Sequence, residues 1–134
     1  KGGLPTGLAY AWFGPDMAKV TALAAVIGHC WPVYLGFKGG KGVATAAGVV
    51  FALVPLAGAA ALAVFALVVG VSRYVSLGSL TACAAAPLAA FALGWHQFVP
   101  VLAAIALVIV VKHAGNIRRL LAGNENKLGA SKGG

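Results

Sequence analysis

The sequence predicts an all-α, polytopic transmembrane helix bundle, and three observations carry that prediction. The 134 residues are 61% apolar and 9% charged, with a mean hydropathy of +0.96, whereas a soluble domain is about 45–50% apolar and about 25% charged. Ten lysines and arginines and two carboxylates cannot solvate so much aliphatic surface. The cations also sit in gaps between long apolar runs, where the positive-inside rule expects them. The net charge of +8 therefore points to a bilayer as the partner and not to nucleic acid.

The same numbers exclude a soluble globular domain, a disordered tail and a disulfide scaffold. Cys30 and Cys83 lie far apart in apolar context without a CxxC pattern, and both read as small buried hydrophobes. No secretory signal pattern opens the chain. Its first residues, Lys1-Gly2-Gly3-Leu4-Pro5, read as the continuation of something longer.

The charge-free stretches set the spans. They cover residues 2–15, 20–37, 42–72 and 74–111, with lengths of 14, 18, 31 and 38. At about 1.5 Å per residue, crossing a ~30 Å hydrocarbon core takes about 20 residues. The first stretch is too short and reads as the outer half of a helix over 4–13. The second fits one span, ending between Pro32 and Gly36. The third is too long for one upright span and too short for two. Pro55 divides it, because proline removes a helical hydrogen bond and disfavours helix in the residue before it. A short half-helix over 43–54 and a helix over 56–71 follow. The fourth fits two helices, 75–93 and 98–113, turning at Gly94-Trp95-His96-Gln97.

Charge tests this layout. If the half-helix and its partner run up and down, then Lys38, Lys41, Arg73, Lys112, Arg118, Arg119, Lys127 and Lys132 share one side. Only Asp16 and Lys19 fall on the other. A single crossing over 43–71 would split the cations, which the positive-inside rule disfavours. The cationic side is then cytoplasmic. Trp31, Tyr34 and Tyr74 fall near that boundary, and Tyr10, Trp12 and Trp95 near the opposite one, as an aromatic belt requires. Abundant glycine and alanine suit close helix approach in lipid.

Three polar constellations interrupt the apolar background. In Gly36-Phe37-Lys38-Gly39-Gly40-Lys41-Gly42-Val43-Ala44-Thr45, glycines free backbone N–H groups to face an anion. Lysines add charge, and the positive end of the following helix points into the loop. Gly42 stands where a Walker A motif needs Ser or Thr, so this is a phosphate cradle of another kind or a flexible loop with topology-setting lysines. His113 and Asn116 share a helical face beside Arg118 and Arg119, which suits an anion site or a helix end snorkelling into headgroups. Arg73-Tyr74-Val75-Ser76 offers either a bidentate phosphate contact or an interface anchor. His29, before Cys30-Trp31-Pro32, reads as a helix-end residue or part of the same site. His96 reads as a belt residue.

Absences narrow the chemistry. With Asp16 and Glu125 as the only carboxylates, paired-carboxylate catalysis is unavailable within this chain. No acidic cluster can hold two Mg²⁺ ions, so no metal or other cofactor is expected. No histidine is followed four residues on by the Asp of the acyl-CoA acyltransferase dyad: position 34 is Tyr and position 118 is Arg.

The residues Gly28-His29-x-x-Pro32 running into Phe37-Lys38-Gly39-Gly40-Lys41-Gly42-Val43-Ala44-Thr45 resemble the PlsY family of acyl-phosphate:glycerol-3-phosphate acyltransferases. Arg73-Tyr74-Val75-Ser76-Leu77-Gly78-Ser79 resembles that family's next polar patch. The run from His113 through Asn116, Arg119 and Gly123 to Glu125 resembles its C-terminal motif. Lys1-Gly2 resembles the end of its D-x-x-K-G segment. The likeness covers essentially the whole chain. Departures are Trp31, where Phe is more usual, and the family's Ser-Gly-Asn-rich first motif, which would precede residue 1.

The resemblance implies one membrane-embedded acyltransferase domain over 1–134, lacking its N-terminal helix and first motif, with little or no turnover expected from this chain alone. It implies acyl transfer from acyl-phosphate to the sn-1 hydroxyl of glycerol 3-phosphate, giving lysophosphatidic acid in bacterial phospholipid synthesis. The site would face the cytoplasm from the inner membrane. His113 and Asn116 would act in catalysis. Lys38, Gly39, Gly40, Lys41, Gly42, Thr45, Arg73, Ser76 and His29 would bind phosphate or substrate, and Glu125 would brace the C-terminal segment. The rival reading is a small anion transporter or channel whose half-helix presents its N-terminus to the anion.

Overall fold

The computed structural model describes residues 1–37 and 39–129; Lys38 and Lys132 fall outside them. Among the described residues every regular element is helical: α1 (Gly3–Cys30), a 3₁₀ turn (Val33–Leu35), α2 (Val43–Leu53), α3 (Pro55–Ser72), α4 (Val75–Ala92), a 3₁₀ turn (His96–Phe98), α5 (Val99–Lys112) and α6 (Ala114–Leu121). Hydrocarbon offers backbone amides no water, so each crossing must satisfy its own hydrogen bonds, and the helix does so. The expected all-α membrane bundle forms, and the helices read over 43–54, 56–71, 75–93 and 98–113 lie within a residue of those bounds; the span read to end between Pro32 and Gly36 instead stops at Cys30, and its helix already begins just after Gly14.

α1 is not one rod. Gly14 sits at φ 83°, ψ −175°, a region closed to residues with a Cβ, and Pro15 follows. A straight helix of 28 residues would hold its ends about 40 Å apart. Instead both ends pack against the first two turns of α2. A Cβ on Gly3 would meet the Gly48 backbone at 2.8 Å, and one on Gly42 would meet Cys30 Sγ at 2.7 Å. Either side of Gly14, Tyr10 and Lys19 approach the same Phe98 ring, at 6.0 and 5.9 Å from its centre. By length and composition Gly3–Leu35 could be one span; these contacts make it two arms folded back at Gly14.

α2 has 11 residues, about 16 Å of rise and half a span. It stops at Val54 because Pro55 brings no N–H to continue it, and Pro55 instead opens α3 at a position that needs none. α3 and α4 form an antiparallel pair. Apolar side chains gain little by leaving lipid for one another, so close packing through small residues holds such helices together. A Cβ on Gly78 would strike Val69 and Phe65. The sharp reversal between the pair puts Arg73 in the left-handed region at φ 62°, with its N–H bonded to the Val69 carbonyl at 2.8 Å.

α5 does not run on smoothly through the C-terminal motif. It ends at Lys112, and α6 leaves at 63°, with His113 at φ −97°, ψ 7° in the break. The shared helical face expected of His113 and Asn116 is thus replaced by a corner. Trp95, Phe98 and Tyr10 cluster at one end of the bundle with Lys19. Lys41, His113 and Arg119 gather at the other, with Lys112 over Trp31 and Lys127 over Tyr74. The half-helix topology and the two aromatic belts follow the charge pattern.

Candidate active site

Helices α2, α3, α4 and α5 line a cavity of about 750 Å³ that reaches the cationic end. Its mouth is polar and carries Lys41, Ser76, His113, Asn116, Arg119 and Glu125; its shaft is apolar, walled by residues such as Phe51, Leu62, Phe65 and Ile105.

Gly42 makes the turn into α2. It sits at φ 78° and packs so closely that a Cβ would meet both Cys30 Sγ and Ile109 Cδ1, the latter at 3.0 Å. Its carbonyl takes the first helical bond from the Ala46 N–H at 2.8 Å, and no side chain caps the preceding N–H groups of α2. Those donors carry the positive end of the helix dipole beside exposed Lys41. Gly39 rests on the end of α1, where a Cβ would strike the His29 carbonyl and Pro32. Gly40 lies over the His29 ring, with Nε2 2.7 Å from a Cβ built there. His29 therefore props the loop from beneath. Thr45 is buried and turned toward Gly2, away from the cavity lining.

Glu125 organises the opposite wall. Its Oε1 accepts hydrogen bonds from Asn116 Nδ2 at 2.6 Å and Ser76 Oγ at 2.9 Å. Oε2 accepts from Arg119 Nε at 2.7 Å. Burial alone pushes this carboxyl up, but the hydrogen bonds from Asn116, Arg119 and Ser76 outweigh it and hold the group below the ordinary Glu range. These bonds decide what each partner has left for a ligand. Ser76 has spent its only proton, so it faces the cavity as an acceptor. Asn116 keeps one N–H and its carbonyl. Arg119 keeps its terminal nitrogens and lines the cavity, a placement that the sequence reading did not assign to it.

His113 is 2% exposed. Its Nδ1 lies 2.8 Å from the Ile109 carbonyl. A carbonyl only accepts, so Nδ1 carries the proton and Nε2 keeps a free lone pair. Arg73 does not line the cavity. Its guanidinium donates to the Leu128 carbonyl through Nε and Nη2, at 3.1 and 2.8 Å, and so anchors the segment that carries Glu125. Lys112 likewise turns outward, donating to the Cys30 carbonyl at 3.0 Å. Asn126, Lys127 and Leu128 complete the mouth. Only their placement next to Glu125 could have flagged them in the sequence. Among the described residues no group of His, Cys, Asp and Glu is arranged to hold a metal ion.

Residues 1–123 match the family described as glycerol-3-phosphate acyltransferase. The chain is 48% identical over 129 residues to the glycerol-3-phosphate acyltransferase of Jannaschia sp. (strain CCS1), covering 96% of this chain and 64% of the relative. It is 49% identical over 133 residues to that of Syntrophotalea carbinolica, covering 97% and 68%. It superposes with a TM-score of 0.92 and 41% identity on PlsY (YgiH), an integral membrane glycerol 3-phosphate acyltransferase, in its glycerol 3-phosphate form. The lysophosphatidic acid form gives the same score and identity, and 96% of this chain is covered in both. The chain spans about two thirds of the length of these relatives.

Proposed function

The chain belongs to the glycerol-3-phosphate acyltransferase family, and on that footing we propose that the protein moves an acyl group from acyl-phosphate to the sn-1 hydroxyl of glycerol 3-phosphate. The products are lysophosphatidic acid and phosphate. One observation carries the reading: a single cavity joins a cationic, donor-rich mouth to an apolar shaft. That is the shape of a substrate pair with phosphates at one end and a hydrocarbon chain at the other.

The hydroxyl oxygen attacks the acyl carbonyl carbon, the carbon–oxygen bond to phosphate breaks, and inorganic phosphate leaves. Acyl-phosphate is a mixed anhydride, so its leaving group needs little acid assistance. Catalysis then rests on placing two phosphates and neutralising their charge. Lys41, the free N–H groups opening α2 and the terminal nitrogens of Arg119 supply the charge. His113 Nε2 accepts the hydrogen bond of the attacking hydroxyl and orients it, and Asn116 holds the carbonyl end with its remaining N–H. The hydroxyl proton passes to a substrate phosphate. Gly39, Gly40 and His29 shape the loop, and Lys38 adds to its charge. Arg73, Ser76 and Glu125 hold the C-terminal wall. The site faces the cytoplasm from a bacterial inner membrane, where the positive-inside rule puts the cationic end.

An anion transporter would need binding groups at mid-membrane. Among the described residues lining the cavity, charged groups are confined to the mouth, which favours the enzyme. The test is an assay of the full-length protein with acyl-phosphate and acyl-CoA as alternative donors to glycerol 3-phosphate. Lysophosphatidic acid is expected from acyl-phosphate alone. Equal use of acyl-CoA would overturn the donor, and no acylation with either would overturn the enzyme.

A further inference from the structure

The apolar shaft has a floor. On each of its four helices the lining stops at a definite residue: Phe51 on α2, Gly58 on α3, Ala86 on α4 and Leu102 on α5. Beyond these residues the inward-facing positions are buried and do not line the cavity, while others on the same helices, such as Leu56 and Leu88, are exposed. Leu53, Val54, Ala57, Ala90 and Phe98 are between 0% and 4% exposed, and they belong to one packed cluster. The break between α2 and α3 makes this plug. Because Pro55 ends α2 after half a span, Leu53 and Val54 at the break are buried in that cluster just past the last lining residue of α2. A Cβ on Gly58 would meet the Phe51 ring at 2.9 Å, so these two side walls are already in contact at the floor.

From the mouth at Ser76 to Ala86, α4 rises about 15 Å. Along α5, His113 to Leu102 covers about 16 Å. The two independent measures place the floor at one depth. Ala86, 4% exposed, and Leu102, 2% exposed, both line the cavity there and belong to the packed cluster.

We infer that the α2–α3 break closes the shaft as a ruler for acyl-chain length, with Ala86 and Leu102 as the specificity-determining residues. The inference rests on the acyltransferase reading of this cavity and adds to it a selection among donors. With the acyl carbonyl held at the mouth by the phosphate contacts, each methylene runs down the shaft toward the floor. A chain reaching the plug must displace side chains packed at crystal-like density or fold back on itself. One methylene in a closed apolar pocket changes kcat/KM by about 10–200-fold, so a floor at fixed depth gives a sharp cut-off.

The test measures kcat/KM for a series of saturated acyl-phosphates of increasing length, using full-length protein in liposomes. Ala86→Leu adds an isopropyl group at the floor and is expected to move the optimum to shorter donors. The ratio of long-chain to short-chain kcat/KM should fall at least about tenfold. Leu102→Ala lowers the floor and is expected to move the optimum to longer donors. The two variants shift the profile in opposite directions, which loss of stability cannot do, so either one that folds decides the matter. An unchanged profile, or one lowered evenly at all lengths, means that the tail leaves sideways past Phe51 and Leu62 into lipid, and overturns the ruler alone. A wild-type protein that acylates nothing overturns the acyltransferase reading and the ruler with it.

Discussion

Arg73 and Leu128 hold one another by both backbone and side chain. The Leu128 N–H donates to the Arg73 carbonyl at 2.7 Å, and the Arg73 guanidinium returns two bonds to the Leu128 carbonyl, at 3.1 and 2.8 Å. The pair is separated by 55 residues. It ties the α3–α4 reversal to the segment after α6, and between those ties Glu125 is pressed onto Asn116, Ser76 and Arg119. A residue whose sequence suggests phosphate binding thus secures the wall of the site from behind.

Arg73→Ala is expected to loosen that segment without unfolding the bundle. Losing exposed charge-assisted bonds costs about 1 kcal/mol, or roughly a fivefold rise in local opening. Hydrogen exchange at the Leu128 amide should accelerate accordingly while amides of α3 and α4 keep their protection. Unaltered exchange at Leu128 would show that the backbone bond alone carries the tie.

The depressed carboxyl of Glu125 sets a pH dependence. A carboxylate stabilised in the folded state contributes stability that is fully present above its unfolded value, about 4.3. The contribution is lost as pH falls through the lower folded value. Docking of residues 123–129 should therefore be constant from about pH 5 to 8, where the group is ionised in both states, and weaken as pH falls below about 4.3. Limited proteolysis of that segment against pH reads this directly. Glu125→Gln should be cleaved faster at neutral pH and lose the acid transition; an acid transition that survives in the variant would assign it elsewhere.

The loop glycines separate by mechanism. Gly42→Ala places a Cβ at φ 78° against Cys30 and Ile109 and is expected to destabilise by about 1–3 kcal/mol. Gly36 has φ 58° but open space around it, so Gly36→Ala isolates the backbone part, about 1–2 kcal/mol. Gly40 is not among the positive-φ glycines, and Gly40→Ala must instead displace the His29 ring. The fold should survive, with a raised KM for glycerol 3-phosphate. Thermal unfolding in detergent and steady-state kinetics on the three variants distinguish these effects, and identical behaviour of all three would remove the loop from the site.

Sidedness follows from the same architecture. Single cysteines replacing Lys41, Arg73 and Arg119 should react with an impermeant maleimide from one side of oriented vesicles, and one replacing Lys19 from the other. Arg73→Cys labelling from the Lys19 side would be incompatible with α2 and α3 forming an up-and-down pair.

Much of this molecule is readable along the chain because lipid leaves few choices. Apolar run lengths become helix lengths, since no other open backbone satisfies its amides in hydrocarbon. Pro55 ends α2 by chemistry local to one residue. Asp16 and Lys19 expel the first turn from the membrane, and the remaining cations collect at one end. The Gly-rich loop, the Arg73 patch and the His113–Glu125 motif suit a phosphate by residue type but suit a membrane-boundary loop or helix end as well, and only the family resemblance chose between them. What they cannot declare is where each side chain spends its hydrogen bonds. Glu125 meets Ser76 across 49 residues, and only that meeting turns Ser76 from donor to acceptor; Arg119 is set by its own bond to Glu125, and Arg73 is held behind the wall by Leu128. The corner at His113 and the closed floor below Ala86 likewise arise from packing between helices distant in sequence. Local chemistry determined the elements and where the polar groups gather; tertiary contact decided which of them remain free for a ligand, because a donor already bonded to Glu125 cannot also bond an anion.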